Sequence, residues 1–537
     1  MAIQISGTSV IFDNRNIDNV GVFTATSFVG DGSNLSNLPA SGGSITATAS
    51  GAISNGDPVV INTDGTVSGI STSGQNESFG SAVEWKDDAS FGDQARQIAY
   101  DTTNDKIAIV YRNSSNYPEI VIGTVSGSSI TFGTPVTVLS EATTSPTLCY
   151  DPDEDRMVVF FGHRAKSGQI SGNSITFGST QTYSDMSTRD ISVYDAIYDT
   201  DQKKIILFFR PNSSSGSIAQ YAGASIGIDV NGDTLTFGYE GKQWDSGTVS
   251  YISAVYMPHV KRHLVCYRGD SDEHGQVVVG ALDGATMNSS GSDGGLTYES
   301  RVEFDSVNCM FNRVAYDSDS QKAIVAYSDD DAGRQVSAKV IDIVPSGRTA
   351  GYVQIGPRFR IKTTNSATTD AIGCAYDPTV KKVVFIYQDT APNPDVVRVN
   401  TASVDGFNLT MDHDAGTILV STRINHANAV YDPDTEKVIT ALVDTDDADA
   451  GDAFVITASG ATSNLTSTNF LGISNAAYSD GDTATIQTIG AEDDAQSGLT
   501  VGEKHYVNRD GSISVTAGSP SALVGVANAS TKIIIGG

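Results

Sequence analysis

The chain has 537 residues and a formal net charge of −30, from 33 Lys and Arg against 63 Asp and Glu. That balance excludes phosphate-backbone recognition, which needs a basic face, and docking on an anionic membrane, and it favours solubility. Apolar residues make up 39% and charged residues 18%, while 53 glycines and evident Ser, Thr, Asn and Asp fill the difference, the mix of a turn-rich, all-β protein.

Residues 1–45 carry strand-like pieces between Gly, Asn and Asp turns. They are too short and too polar to hold a core alone, so this segment is expected to order on a partner, either copies of itself or another protein. Its start, MAIQISGTSVIFDNR, lacks the basic and apolar regions of a secretory signal, which points to a cytosolic origin. No apolar run approaches the ~18 residues of a membrane span, so no membrane insertion is expected. Residues 46–77 predict two or three strands.

A repeat then dominates the chain. IAYDTTNDKIAIVY, TLCYDPDEDRMVVFF, AIYDTDQKKIILFF, AVYMPHVKRHLVCY, VAYDSDSQKAIVAY, CAYDPTVKKVVFIY and AVYDPDTEKVITAL share fixed internal offsets. Their anchors are Tyr100, Tyr150, Tyr198, Tyr256, Tyr316, Tyr376 and Tyr431, spaced by 50, 48, 58, 60, 60 and 55 residues. Six positions on stands a base: Lys106, Arg156, Lys204, Arg262, Lys322, Lys382 and Lys437. One position on stands Asp in six copies, and Met257 in the fourth. Eleven on stands Tyr or Phe in six copies, and Leu442 in the last.

Each copy reads as a hairpin whose Asp accepts backbone N–H groups in the turn. The unbroken apolar run after the base predicts a strand covered on both faces. Two further strands follow in most copies, as in 119–139 and 224–244, where SGSS and VNGD mark hairpin turns. Four strands per repeat of this length predict a β-propeller blade, and seven repeats a seven-bladed β-propeller over 78–469. Phe132, Phe177 and Phe237 precede the next anchor by 18, 21 and 19 residues, and Phe79 precedes Tyr100 by 21. Residues 78–85 are therefore expected to supply the outer strand of the seventh blade and leave no open edge. Residues 470–537 predict a C-terminal β-module that pairs with 46–77, the propeller being inserted between these small β-modules.

Signs of chemistry are sparse. Cys149, Cys266, Cys309 and Cys374 form no close pair and read as small buried thiols. Of seven histidines, His259 and His263 lie four apart, in what reads as a variant hairpin turn and not a metal site. Asp151, Asp153 and Asp155 alternate, as do Asp432, Asp434 and Glu436, and 444–452 is the densest acidic run. Turn chemistry explains these, with weak calcium binding in the acidic loops as the alternative. SDGGLTY (292–298) partly matches a sialidase Asp-box through Asp293, Gly295, Thr297 and Tyr298, a fold-stabilising turn; Gly291 departs from its pattern. Arg210, Arg268, Arg313, Arg358, Arg360 and Arg423 would have to converge for sialidase chemistry. Trp85 and Trp244 sit at matching positions and read as packing residues. No catalytic, metal or cofactor residue is assigned, and the chain is read as a non-enzyme.

The segment ATSFVGDGSNLSNLP resembles tail-fibre and other virion-surface structural proteins of marine tailed bacteriophages. The block ATASGAISNGDPVVINTDGTVS followed by YD-type repeats is similar to the same proteins, as is the closing stretch GLTVGEKHYVNRDGSISVTAGSPSALVGVANASTKIIIGG. The resemblance implies a virion structural protein, assembled in the host cytoplasm, often a homotrimer. It implies attachment to other virion proteins through the N-terminal segment, and a propeller displayed toward a host-surface glycan or protein. The alternatives are a structural adaptor or capsid or tail decoration protein without receptor binding, and a polysaccharide depolymerase.

Overall fold

A computed structural model describes the strands Ile3–Ile5 and Thr8–Ile11 and the residues from 43 onward. Left out after 43 are 74–76, 88, 91–95, 184–190, 214–217, 239–240, 270, 284–294, 345–351, 362–370, 391–394, 413–415, 459–461, 467, 509–510, 516–520 and 537. The described residues are almost wholly strands and turns, apart from a 3-10 turn at Asp330–Ala332.

Each tyrosine repeat opens an antiparallel meander. In the first, Ile98–Asp101 pairs with Lys106–Arg112, which pairs with Pro118–Ser126. The outer edge is two short strands, Ser129–Phe132 and Val136–Thr137, both on Pro118–Ser126. The split recurs in the second repeat, at Ser174–Phe177 and Gln181–Thr182, and in the third, at Thr234–Phe237 and Lys242–Asp245. The single fourth strand read from the sequence is thus a broken pair. In the last repeat the outer edge comes from far upstream: Ser78–Phe79 and Val83–Lys86 both pair with Ala450–Thr457.

The second strand of each meander is buried on both sides because two neighbouring meanders press on it. In Arg156–Phe161, Met157, Val159 and Phe161 pack with Ala108 and Val110 of the first repeat. The alternate side chains, Val158 and Phe160, pack with Ile205, Leu207 and Phe209 of the third. The period of two along a strand thereby divides one apolar run between two cores. Ile439, Ala441 and Val443 of the seventh repeat share a core with Ile107, Ile109 and Tyr111 of the first. Innermost strands neighbour each other in repeat order, and the last, Ile424–Asp432, neighbours the first, Ile98–Asp101. These pairings make an all-β fold of propeller type.

The fourth and fifth repeats depart from the regular scheme. A single 16-residue strand, Val302–Asp317, pairs with His274–Leu282 and then with Lys322–Asp329. It is the outer edge of one meander and the innermost strand of the next, so the two share a nine-stranded sheet.

The chain divides into two compact units, Ser73–Thr462 and Met1–Thr72 with Ser463–Gly537. Both boundaries differ from the sequence reading. Glu77, assigned there to the 46–77 segment, is buried in the propeller unit, where Thr401 and Thr417 donate to its carboxylate at 3.0 and 2.6 Å. Leu465, assigned there to the propeller, lies in the apolar core of the other unit with Val507, Val524 and Ile533. In that unit Ser44–Thr48, Pro58–Ile61 and Val67–Gly69 share a sheet with Phe470–Ser474 and Thr483–Gln487. A second sheet joins Glu492–Asp493, Lys504–Asn508, Ile513–Ser514, Ser521–Ala529 and Lys532–Ile535. Ile3–Ile5 pairs with Thr8–Ile11. The segment ATSFVGDGSNLSNLP lies outside the described residues.

Candidate functional site

The repeat anchors are brought together at the turn between the first two strands. The Asp after the anchor is buried, and its Oδ1 accepts the N–H groups two and three residues on. For Asp101 these come from Thr103 and Asn104, at 2.9 and 3.0 Å. Asp151, Asp199, Asp317, Asp377 and Asp432 do the same. Met257 cannot, and there the Val260 N–H turns to the Met257 carbonyl at 3.3 Å. Five residues past the anchor the chain is left-handed in all seven copies, at Asp105, Asp155, Lys203, Lys261, Gln321, Lys381 and Glu436, with φ between 52° and 58°. No glycine relieves this position, which is costly for an L residue. In four copies the base that follows caps turn carbonyls, as Lys106 Nζ does those of Asn104 and Asp105 at 2.7 and 3.1 Å, whereas Lys204 and Lys382 pair with Asp229 and Asp412, each at 2.7 Å.

In five copies the anchor hydroxyl then reaches the preceding repeat, at the residue three past its anchor, whereas Tyr100 donates to Asp105 of its own turn at 3.4 Å. Tyr150 donates to Thr103 at 2.6 Å, Tyr376 to Asp319 at 2.6 Å and Tyr198 to Asp153. Tyr431 meets Thr379 at 2.8 Å, and Tyr316 meets His259 at 3.1 Å. Lys203 and Lys381 hold the same Asp153 and Asp319 at 2.7 and 2.8 Å, and keep those carboxyls below the usual range. These five anchors therefore act as latches between successive repeats.

The other residues singled out from the sequence are also occupied. Asp151, Asp153 and Asp155 face different partners, Asp155 taking Tyr150 Oη and Asn104 Nδ2, each at 3.0 Å. In 444–452, Asp444 accepts from Asp446 N, Asp447 N and the Thr422 hydroxyl at 2.9, 3.2 and 2.5 Å. His263 is not in the turn with His259. It is fully buried on the next strand between Phe208 and Tyr298, and burial drives its pKa down to about 3. Asp293 lies outside the described residues. The cysteines are free and buried. Trp85 packs on Tyr111 at 4.6 Å and Trp244 on Tyr267 at 4.8 Å, each clasping the repeat that follows its own. Only Arg358 and Arg360 are seen to meet, both on Asp329, while Arg358 also pairs with Asp305, Arg423 pairs with Asp395, Arg268 lies over Tyr251 and Arg210 over Tyr194.

A polar arrangement that the sequence reading missed lies where the innermost strands draw together. Three residues before each anchor stand Gln97, Thr147, Asp195, Ser253, Arg313, Gly373 and Asn428, polar or small in every copy. Arg96 reaches across from the first repeat to Asp195 of the third at 2.9 Å and to the Ala254 carbonyl of the fourth at 3.0 Å. Asp195 also accepts the Ala254 N–H at 2.8 Å, and Gln97 N donates to Asn428 at 3.3 Å. The missed signal was the same register, counted backward from the tyrosine. Beside it, Tyr251 and Phe311 meet edge to face at 4.7 Å, and both are left-handed, with φ of 53° and 58°. Bulky residues seldom take that conformation, and such strain collects where a site is held in shape. Polar ring and strained aromatics, all of them buried except the half-buried Arg96, together are the candidate functional site of the propeller unit.

The fold and this site define an all-β protein of propeller type. No protein-family model matches the chain, and no curated protein matches it. Among solved structures it is similar to a candidate 6-phosphogluconolactonase from Bacteroides fragilis, 11% identical with a TM-score of 0.43 over 61% of this chain and 85% of that one. It is similarly placed to another from Bacteroides uniformis, 12% identical with a TM-score of 0.41 over 60% and 85%. Likenesses this distant carry no functional argument, and the propeller class rests on the strand pairings.

Proposed function

We propose that the chain is a non-catalytic virion-surface protein of a tailed bacteriophage, a tail fibre, spike or other appendage. Its meanders are the seven blades of one closed propeller presented to a host-surface glycan or protein. Its other unit and the N-terminal segment attach to the particle and to further copies of the chain, as a trimer. The observation that carries the reading is where large apolar side chains stay exposed. Among the described residues most of them lie in the smaller unit, where Ile489 is 68% exposed and Val501 60%. On its second sheet Val526 and Ile534 are register partners and both are exposed. Exposed apolar surface of this kind favours a partner. In the propeller unit, by contrast, the repeated tyrosines, acids and bases are used to hold the ring.

The reading is tested with the purified intact chain on a panel of bacterial cells. Saturable binding to particular strains, without release of reducing sugar from their envelopes, is the expected result. Sugar release would establish a depolymerase. Absence of binding to every strain the phage infects would leave the adaptor or decoration role and overturn host recognition.

A further inference from the structure

Among the described residues, three metal-ligating side chains, one from a turn and two from separate strands, converge at Asp272, His274 and Glu303. Each offers one ligand atom, and these atoms lie within 4.8 Å of one another. His274 Nδ1 and Glu303 Oε2 are 2.8 Å apart. Asp272 stands in the turn just before, where its Oδ1 accepts the His274 N–H at 3.2 Å. The convergence is a product of the irregular sheet. The strand His274–Leu282 breaks register against Val302–Asp317 on both sides of Gly275. This happens where the long strand leaves the edge of the fourth meander for the centre of the fifth.

We infer that Asp272, His274 and Glu303 form a surface site for one divalent transition-metal ion of the zinc class, which pins the turn before His274 to the strand Val302–Asp317. One imidazole nitrogen and two carboxylates suit zinc or cobalt, whereas calcium takes a shell of oxygens. Ligands on one zinc lie ~3 Å apart, since each bond is ~2 Å. The His274–Glu303 pair, hydrogen-bonded to each other at 2.8 Å, already has that spacing, and Asp272 is an exposed turn side chain. Glu273 and Asp331 add negative charge around the site: Asn308 donates through Nδ2 to Glu273 at 3.2 Å and through its N–H to Asp331 at 3.1 Å. Two arginines near the site have other partners: Arg301 is held by Asp245 at 3.0 Å, and Arg268 donates to Asn308 at 3.2 Å. Three protein ligands leave coordination positions open to water or to an oxygen ligand from a partner.

The test is calorimetric titration of the EDTA-stripped intact chain with zinc chloride at pH 7.5, beside His274→Ala, Glu303→Gln and His259→Ala. One saturable zinc per chain is expected, weakened roughly tenfold or more in the first two variants and unchanged in the third. Tryptophan emission that matches the parent confirms that each variant is folded. Lack of saturable uptake, or uptake that His274→Ala keeps at full affinity, would overturn the site. So would calcium binding of equal strength that survives His274→Ala.

Discussion

The Tyr376 hydroxyl donates to the Asp319 carboxylate at 2.6 Å, from the sixth repeat to the turn of the fifth, and Lys381 holds the same carboxylate at 2.8 Å. One acid thus receives both the anchor and the left-handed residue of the following repeat. Burial first, and then the facing Asp319, push the Tyr376 phenol well above its usual range, so it remains a donor at any working pH.

Tyr376→Phe should lower stability by about 1 kcal/mol, the net value of one hydrogen bond, because Asp319 keeps Lys381 and its access to water. Tyr376→Ala also removes the ring and should cost about 3 kcal/mol or more. Urea midpoints with an unchanged slope would establish both values.

Close approach between repeats explains the Phe-Gly pairs. A Cβ on Gly133 would lie 1.8 Å from the Asn173 carbonyl of the next repeat, and one on Gly80 would lie 1.8 Å from that of Ser128. Both neighbours are backbone and cannot rotate away. Gly133→Ala and Gly80→Ala should each cost about 3 kcal/mol. Gly69→Ala, whose Cβ meets nothing nearer than 3.9 Å, should be close to neutral in the same denaturation assay.

Both tryptophans are buried in the propeller unit, at 6% and 9% exposure. Native emission should therefore be blue-shifted and should move red in a single step as that unit unfolds. Trp244 fills the space over Gly223, where a Cβ would lie 2.3 Å from its ring. Trp244→Ala should destabilise by about 3–5 kcal/mol, read from the shifted denaturation midpoint.

Asp452 supplies a pH signature. Burial first, then Asp444 and Asp447, raise its pKa to about 6. The unfolded value is about 3.9. Between these the native state binds more protons than the unfolded one, so this group's contribution to stability is lost as pH rises through that window. Asp452→Asn removes the loss. Its advantage over the parent should grow from about pH 4 to pH 6 and stay level above that. An advantage independent of pH would assign the effect to packing.

The repeated elements were legible because each position does the same physical work in each copy. Asp after Tyr predicts the turn acceptor, and the apolar run predicts a strand pressed from both sides. The left-handed residue at Lys203 or Gln321 was hidden, since no glycine marks it. The split outer edge was hidden because Ser129–Phe132 and Val136–Thr137 are short and pair with one strand. Contacts between distant repeats were beyond any local pattern: Arg96 meets Asp195 across 99 residues, and His274 meets Glu303 only through a register break.

The most direct test of the proposed role is the mass of the intact chain by sedimentation equilibrium, beside a chain lacking residues 1–42. The account predicts about three times the 56.2 kDa chain mass for the intact protein, falling to the single-chain mass on truncation. A single-chain mass for both proteins would contradict self-assembly through the N-terminal segment.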